Sequence, residues 1–483
     1  MTEANLDPED WESFQDLGAK MLVEMMTHLR TIRDKPVWQP IPDNVRLKYK
    51  EPLNTEPQPL NDVYQEFRDN ILPYALGNIH PRFWGWVIGT GTPVGVLAEM
   101  LKAGMNPNLG GGDHSANYIE MQVVEWMKKI FEFPRDASGI LTTGGSMANL
   151  VGLTVARNKK TGHDVRNQGI YTARPPVVYG SVETHSSVQK AIELLGIGKE
   201  FYHTIPVNDR FQIDLQALTE TIEADKEYGL RPMCIVGNAG TVNTGAFDNL
   251  PELARIARKE DAWFHVDGAF GAFACLSSSH KGLTDGIQQA DSLAFDLHKW
   301  MYMPYDIGCT LVRSEADHYK TFTLTPDYLT HETRGIPSGK KWLSDYDFLL
   351  SRGFRGLKAW MSLKTHGLKQ YKLLIQQNID QAHYLTNKVK SNPNLKLIAP
   401  TSLNTVCFQF IPHDNGLSTE EINQMNREIV LQLHEKGIAV PSNAILNGLY
   451  AIRVCITNHR SIKSDLDLFV QSVIEIGQNL TST

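Results

Sequence analysis

Positive charge is what this chain has least to spare. Its 47 lysines and arginines face 54 aspartates and glutamates, for a net charge of -7. No basic excess is available to neutralise phosphates, which argues against a nucleic-acid partner. Cysteine is equally scarce: Cys234, Cys275, Cys309, Cys407 and Cys455 are scattered, odd in number and without a CxxC pair. That speaks against a disulfide scaffold, and no His/Cys cluster has the spacing of a structural zinc site. No stretch approaches the ~18–20 apolar residues of a membrane span. The first residues, MTEANLDPEDWESF, are acidic and lack a charged-then-apolar secretory pattern, so a cytoplasmic protein with reduced thiols is expected. There is no internal repeat and no low-complexity tract.

What is present is an ordinary globular composition, 42% hydrophobic and 21% charged over 483 residues, enough for two or three domains. From Asp7 to Ile32, Trp11, Phe14, Leu17, Met21, Met25 and Leu29 recur at helical spacing. Six prolines between Pro36 and Pro59 then forbid a single helix, and this segment reads as a strap across another surface, a partner subunit's included. From about Asn78 to Lys358, strand-like runs (175–181, 232–240, 263–267, 293–298, 307–313) alternate with helical ones (185–195, 215–228, 250–259). Such alternation predicts a mainly parallel sheet covered on both faces, the last strand adding an antiparallel neighbour. From Ala359 a long helical stretch, two further strands and two helices fit a small α+β domain. The expected division is thus 1–77, an N-terminal helical and proline-strap segment; 78–358, a large α/β domain; and 359–483, the small domain.

Two runs carry the chemistry. AWFHVDGAF and SLAFDLHKW are short, apolar and end on polar residues, as buried parallel strands do when they present groups at their C-terminal tips. The first presents Asp267, the second His298 and Lys299. Alone, an aspartate after a strand is most often a cap or turn residue and a lysine is most often solvated. Together, a lysine for a Schiff base and a carboxylate for a pyridinium nitrogen are the two groups a pyridoxal phosphate (PLP) enzyme needs. LTTGGSMANL runs into a helical pattern: Gly144 and Gly145 permit close approach of backbone amides, Ser146 offers a hydroxyl, and the helix N-terminus favours an anion. A plain Gly-Ser helix start fits as well, and the motif is neither a Walker loop nor GxGxxG. His185, after the strand 175–181, can stack on a planar ring or stand among helix caps. Thr241 and Asn243, in GNAGTVNTGAFD, can hydrogen-bond a ring substituent or phosphate.

The ordered set HPRFWGW, GGSMAN, THSSVQKA, AGTVNTGAFD, WFHVDGAFG and FDLHKW resembles the PLP-dependent group II amino-acid decarboxylases over nearly the whole chain. The resemblance implies a fold-type I PLP-dependent transferase fold: α/β, with a mainly parallel seven-stranded-type sheet, an N-terminal helical segment and a small α+β domain. It implies PLP as cofactor and a homodimer with shared active sites. It makes Lys299 the Schiff-base lysine, Asp267 the pyridinium partner and His185 the stacking ring. Gly145, Ser146 and His298 fall around the phosphate, and Thr241 beside the cofactor. Tyr328, in TPDYLTHETRG, matches the lid tyrosine that returns a proton after CO2 leaves. Phe83, Trp84 and Trp86 would give the substrate site aromatic character, and Arg453 matches an arginine near substrate or cofactor, though a structural ion pair suits it equally.

The implied activity is an L-amino-acid α-decarboxylase (a carboxy-lyase) making an amine and CO2, on an aromatic or similarly sized amino acid. A glutamate/aspartate-type decarboxylase and an oxygen-using aldehyde synthase stay open as alternatives; the latter typically carries phenylalanine where this chain has Tyr328. Gly110–Gly112, in NLGGGDHSAN, departs from the bulky loop of aromatic-specific members and is expected to remove a pocket wall.

Overall fold

Apolar runs rich in β-branched and aromatic residues become the strands of a seven-stranded sheet in the computed structural model, which describes residues 3–481 except 171–173, 325–331, 340 and 414–415. The strands are β1 (Ser138–Thr142), β2 (Pro176–Ser181), β3 (Tyr202–Ile205), β4 (Arg231–Asn238), β5 (Trp263–Asp267), β6 (Ser292–Asp296) and β7 (Gly308–Val312). Their order is β1-β7-β6-β5-β4-β2-β3, and β7 alone runs antiparallel to its neighbours. β1 and β3 lie outside the runs read as strands from sequence, because β3 is short and β1 merges into the glycine motif that follows it.

The helices are α1 (Trp11–Arg30), α2 (Asp43–Lys48), α3 (Leu60–Glu66), α4 (Pro93–Met105), α5 (Ser115–Ile130), α6 (Gly145–Lys160), α7 (Val165–Gln168), α8 (Ser186–Leu194), α9 (Leu215–Glu227), α10 (Leu250–Lys259), α11 (Glu315–Phe322), α12 (Gly356–Lys390), α13 (Thr419–Glu435) and α14 (Lys463–Thr481). Helices pack on both faces of the sheet, so its central strands are buried throughout. Parallel pairing in register, Asn238 opposite Asp267 and Asp267 opposite Ala294, brings the C-terminal ends of β4, β5 and β6 to one edge. In open α/β sheets that edge is where ligands bind.

The small domain is an antiparallel sheet, β10-β11-β9-β8, built from β8 (Leu395–Leu397), β9 (Thr405–Phe410), β10 (Ser442–Leu446) and β11 (Leu449–Cys455) under α13 and α14. α12 belongs to both cores. Ala359 and Leu363 pack in the large core before the break at Gly367 (φ 67°), Ile375 and Ile379 do so after it, and Ala382, Leu385 and Val389 pack in the small one.

The N-terminal third meets the small domain at two places. The start of the proline strap lies on this chain's own small domain: the Val37 N–H donates to the Gly437 carbonyl at 3.0 Å, Arg33 pairs with Asp465 at 2.5 Å, and Ile32, Val37 and Val45 are buried. Trp84, numbered with the large domain, packs in the small domain's core against Phe469 and donates its Nε1–H to Ser461 Oγ at 3.0 Å. α1, in contrast, buries none of its residues.

Burial sets the pH range of this fold. It pushes His80, His265 and His459 down to about 4 and His318 down to about 3, against about 6.5 when unfolded. Below pH ~6.5 the unfolded chain binds protons that the native chain refuses, so stability falls as pH drops toward 4. The expected slope is up to about 1.4 kcal/mol per pH unit for each such histidine. Urea midpoints at pH 7 and pH 5 check it, and equal midpoints would refute it.

Candidate active site

Asp267 ends β5, and what surrounds its carboxylate explains its usefulness. Oδ2 accepts from Asn149 Nδ2 at 2.9 Å, and Oδ1 from the Ala269 backbone N–H at 3.1 Å. Asn149 reaches it from the second turn of α6, and its other Nδ2 hydrogen goes to Ser187 Oγ at 3.0 Å. The Asn149 Oδ1 lies 2.9 Å from His265 Nε2. An amide oxygen only accepts, so His265 carries its proton on Nε2, and Nδ1 accepts from Ser292 Oγ at 2.7 Å. Trp263 Nε1–H donates to that same hydroxyl oxygen at 2.7 Å. Burial keeps His265 neutral near pH 7, as this sequence of donors and acceptors requires. Every hydrogen from Trp263 to Asp267 therefore has a fixed direction.

The chain branches to His185. Its Nδ1 accepts from the Ser187 backbone N–H at 3.2 Å and lies 2.7 Å from Ser187 Oγ. The imidazole caps α8 in place of the serine or threonine expected there, and its proton stands on Nε2. One amide, Asn149, thus links the carboxylate at the end of β5 with the ring at the start of α8.

Lys299 follows β6 by three residues. Its Nζ lies 2.9 Å from Asp296 Oδ2; burial works against its charge, but Asp296, with Asp267 further off, lifts it above the ordinary lysine range. His298 Nδ1 accepts from the Ile307 N–H at 3.1 Å, and its ring lies against Tyr305 with centroids 4.2 Å apart. Burial pulls His298 below the usual histidine range.

Two adjoining cavities meet at Lys299 and His185. One, of about 390 Å³, is walled by Gly144, Gly145, Ser146, Asp296 and His298; the other, of about 210 Å³, by Trp86, Glu183, Thr241, Val242, Asp267 and Phe270. The structure therefore brings Gly145, Ser146, His185, Thr241, Asp267, His298 and Lys299 together. Tyr328 lies outside the described residues.

Two expectations fail. Phe83 and Trp84 do not face the cavity: Phe83 packs with Val37 and Val440, and Trp84 lies in the small-domain core. The aromatic wall is Trp86, turned outward by a left-handed backbone (φ 49°). Arg453 lines neither cavity. Its Nε donates to the Asn243 carbonyl at 3.0 Å and its Nη1 to the Trp86 carbonyl at 2.7 Å and Ser442 Oγ at 3.1 Å, so it clamps two wall segments from behind. The triple glycine lines a separate cavity of about 580 Å³, with Ile336, Trp342 and Leu350. A Cβ on Gly111 would fall 2.3 Å from the Trp342 ring, and one on Gly110 would fall 2.1 Å from the Leu350 carbonyl. The missing side chains admit Trp342.

Asn149, Ser187, His265, Asp296 and Glu183 were not singled out from sequence, whereas Trp86 was. Period-2 alternation offered one signal, since His265 shares a strand face with Asp267.

A reactive lysine, a buried carboxylate and an imidazole around one cleft at the carboxyl edge of a parallel sheet are the requirements of a fold-type I PLP enzyme. A model of the pyridoxal-dependent decarboxylase conserved domain matches residues 42–411. The aromatic-L-amino-acid decarboxylase of Bacillus atrophaeus is 33% identical over 473 residues, 97% of this chain and 96% of that protein. A phenylacetaldehyde synthase of Arabidopsis thaliana is 28% identical over 463 residues, 93% of each. The fold is that of Oryza sativa TDC, solved with PLP and tryptamine: TM-score 0.91 at 21% identity, covering 99% of this chain and 100% of that one. The chain belongs to the pyridoxal-dependent decarboxylase family. It is a PLP-dependent carboxy-lyase.

The residues present fit that cofactor. No side chain caps the N-terminus of α6, leaving its first amides to an anion. The approach is bare of side chains: a Cβ on Gly308 would fall 2.6 Å from the Gly144 Cα, and one on Gly144 would fall 3.0 Å from the His298 ring. Asp267 and His185 are preset for a cationic ring by a network with no hydrogen left to reorient.

Asn149→Ala removes the shared donor. The expected result is a loss of about 1–3 kcal/mol in stability and a drop of at least about tenfold in kcat. The pH at which the bound cofactor's visible band titrates should shift as well. That shift separates positioning from simple destabilisation; an unmoved titration with normal kcat would show that Asp267 needs no help from Asn149.

Proposed function

We propose that this protein is an L-amino-acid α-decarboxylase that releases CO2 and an amine from an aromatic amino acid, with Lys299 as the amine that tethers the cofactor. The observation carrying the reading is that Lys299, Asp267 and His185 line one cavity whose remaining wall is mostly apolar: Trp86, Val87, Val242 and Phe270. Relatives named for aromatic substrates support it. A glutamate or aspartate side chain fits less well, because the charged wall residue beside this apolar surface is Glu183, a carboxylate whose pKa burial raises. Arg453 lines neither cavity, its Nε and Nη1 being held by the Asn243 and Trp86 carbonyls.

Bound PLP supplies an aldehyde for the substrate amine and a cationic ring that withdraws the electrons left when CO2 departs. The chain's own residues do the rest. Asp267, which accepts hydrogen bonds from Asn149 and the Ala269 amide, would pair with the ring nitrogen. His185, with its proton on Nε2, would stack on the ring. Thr241 fixes its own loop, accepting from the Ala246 N–H at 3.1 Å and pairing with Thr244 Oγ1 at 3.1 Å. Gly145, Ser146 and His298 receive the phosphate. Apolar walls exclude water and favour loss of a substrate carboxylate's charge. Tyr328 is proposed as the residue that returns a proton to the substrate carbon.

The test is to offer the PLP-loaded protein phenylalanine, tyrosine, tryptophan, glutamate and aspartate while scoring CO2, amine, aldehyde and peroxide. Amine without peroxide from an aromatic substrate is expected; turnover of the acidic substrates alone would overturn the assignment. Lys299→Ala should lose the visible absorbance of the lysine-linked cofactor, and a variant still trapped by borohydride would remove Lys299 from its role. Oxygen-dependent aldehyde formation is the second reading, favoured by the phenylacetaldehyde synthase among the relatives. Tyr328→Phe should lower amine and raise aldehyde if Tyr328 delivers the proton, and an unchanged product ratio would exclude it.

We also infer a homodimer with shared active sites. α1 presents Trp11, Phe14 and Val23 to the outside, an apolar face that a second copy would cover. A monomer with full activity in sedimentation would refute this. The five cysteines are free thiols, which supports a reducing, cytoplasmic location.

A further inference from the structure

Among the described residues lining the cavity at the glycine turn, Asp296 is the only acid. It ends β6 directly under the glycine turn, with a side chain only 1% exposed. Oδ2 meets Lys299 Nζ at 2.9 Å and lies 3.6 Å from His298 Nε2, while Oδ1 is buried without a hydrogen-bond partner. Glycine surrounds it: a Cβ on Gly145 would fall 2.8 Å from Oδ2, and one on Gly308 would fall 2.7 Å from Oδ1. The carboxylate therefore abuts the same turn, Gly144–Gly145, whose amides open α6 toward an anion. A phosphate there carries up to two negative charges above its second pKa of about 6. Lys299 offsets part of that charge, and Oδ1 of the neighbouring carboxylate has no donor.

We propose that Asp296 and the cofactor phosphate share one proton when the cofactor binds, so that cofactor affinity falls as pH rises. The bookkeeping is one proton from solution per phosphate bound, ending between a carboxylate oxygen and a phosphate oxygen; no bond other than O–H is made or broken. The buried Oδ1 gains the partner it lacks. This rests on the PLP reading above and adds to it a control on cofactor retention. Other titratable groups around Asp296 are Lys299 and His298 beyond β6, Tyr305 in the loop that follows, His185 at the start of α8 and Asp267 at the end of β5. All five remain in the variants below, but Asp296 supports the charge of Lys299 and His298, so the comparison is repeated with Lys299→Met in both proteins, where the strongest of these responses is absent.

The experiment measures binding of 4'-deoxypyridoxine 5'-phosphate, which has the ring and phosphate but no aldehyde, to the cofactor-free full chain. Calorimetry from about pH 6.5 to about pH 8.5 spans the range above the second phosphate pKa. Asp296→Asn keeps the shape and offers an N–H without needing a proton; Asp296→Ser serves if the amide does not fold. The wild type should lose affinity about tenfold more per pH unit than either variant, the signature of one linked proton. Buffers of different ionisation enthalpy should count about one proton more taken up by the wild type. Parallel slopes and equal proton counts overturn the shared proton. Failure of the wild type to bind the analogue at any pH overturns the PLP reading instead.

Discussion

The site depends on one amide side chain buried between two elements. Asn149 spends both hydrogens of its Nδ2, one on Asp267 and one on Ser187, and its oxygen on His265. A carboxylate this deep is costly to keep charged unless donors face it. Asn149 and the Ala269 amide provide them, and the neutral His265 behind Asn149 fixes which way the amide points. Without that orientation the same atoms would set an amide oxygen against the carboxylate.

From this constraint the architecture follows. The donor must come from a helix that begins at the carboxyl edge of the sheet, because only there can its first turn meet an anion while its second turn reaches β5. α6 does both: Gly144 and Gly145 open it, and Asn149 stands one turn further in. Strand order completes the arrangement. Parallel pairing of β4, β5 and β6 lines up Asn238, Asp267 and the approach to Asp296 and Lys299, so the cofactor pocket is a property of the sheet's edge, which the loops decorate.

Much of this was readable in the amino-acid order. Asp267 and Lys299 announce themselves because a buried strand that ends on a charge is physically unusual, and the alternation of strands and helices from Pro175 onward fixes a parallel sheet. What was not readable depends on which way side chains turn. HPRFWGW shows three aromatic residues in a row of four, but only the backbone reversal at Trp86 decides that this ring faces the cleft while Trp84 faces the other domain. Gly110–Gly112 looked like missing material; the glycines let Trp342, more than two hundred positions away, approach their backbone, which no local pattern reveals. Asn149 was hidden for a related reason, since an asparagine in a helix reads as solvated until its helix is placed against β5.

Arg453 grips the walls of the substrate cleft by their carbonyl groups, leaving the side chains of Trp86 and Asn243 out of its hold. A clamp of that kind is blind to side-chain identity. Residues that choose the substrate can be exchanged without disturbing what keeps the cleft in shape, so a single scaffold can be retuned from one amino acid to another by changes at its lining alone.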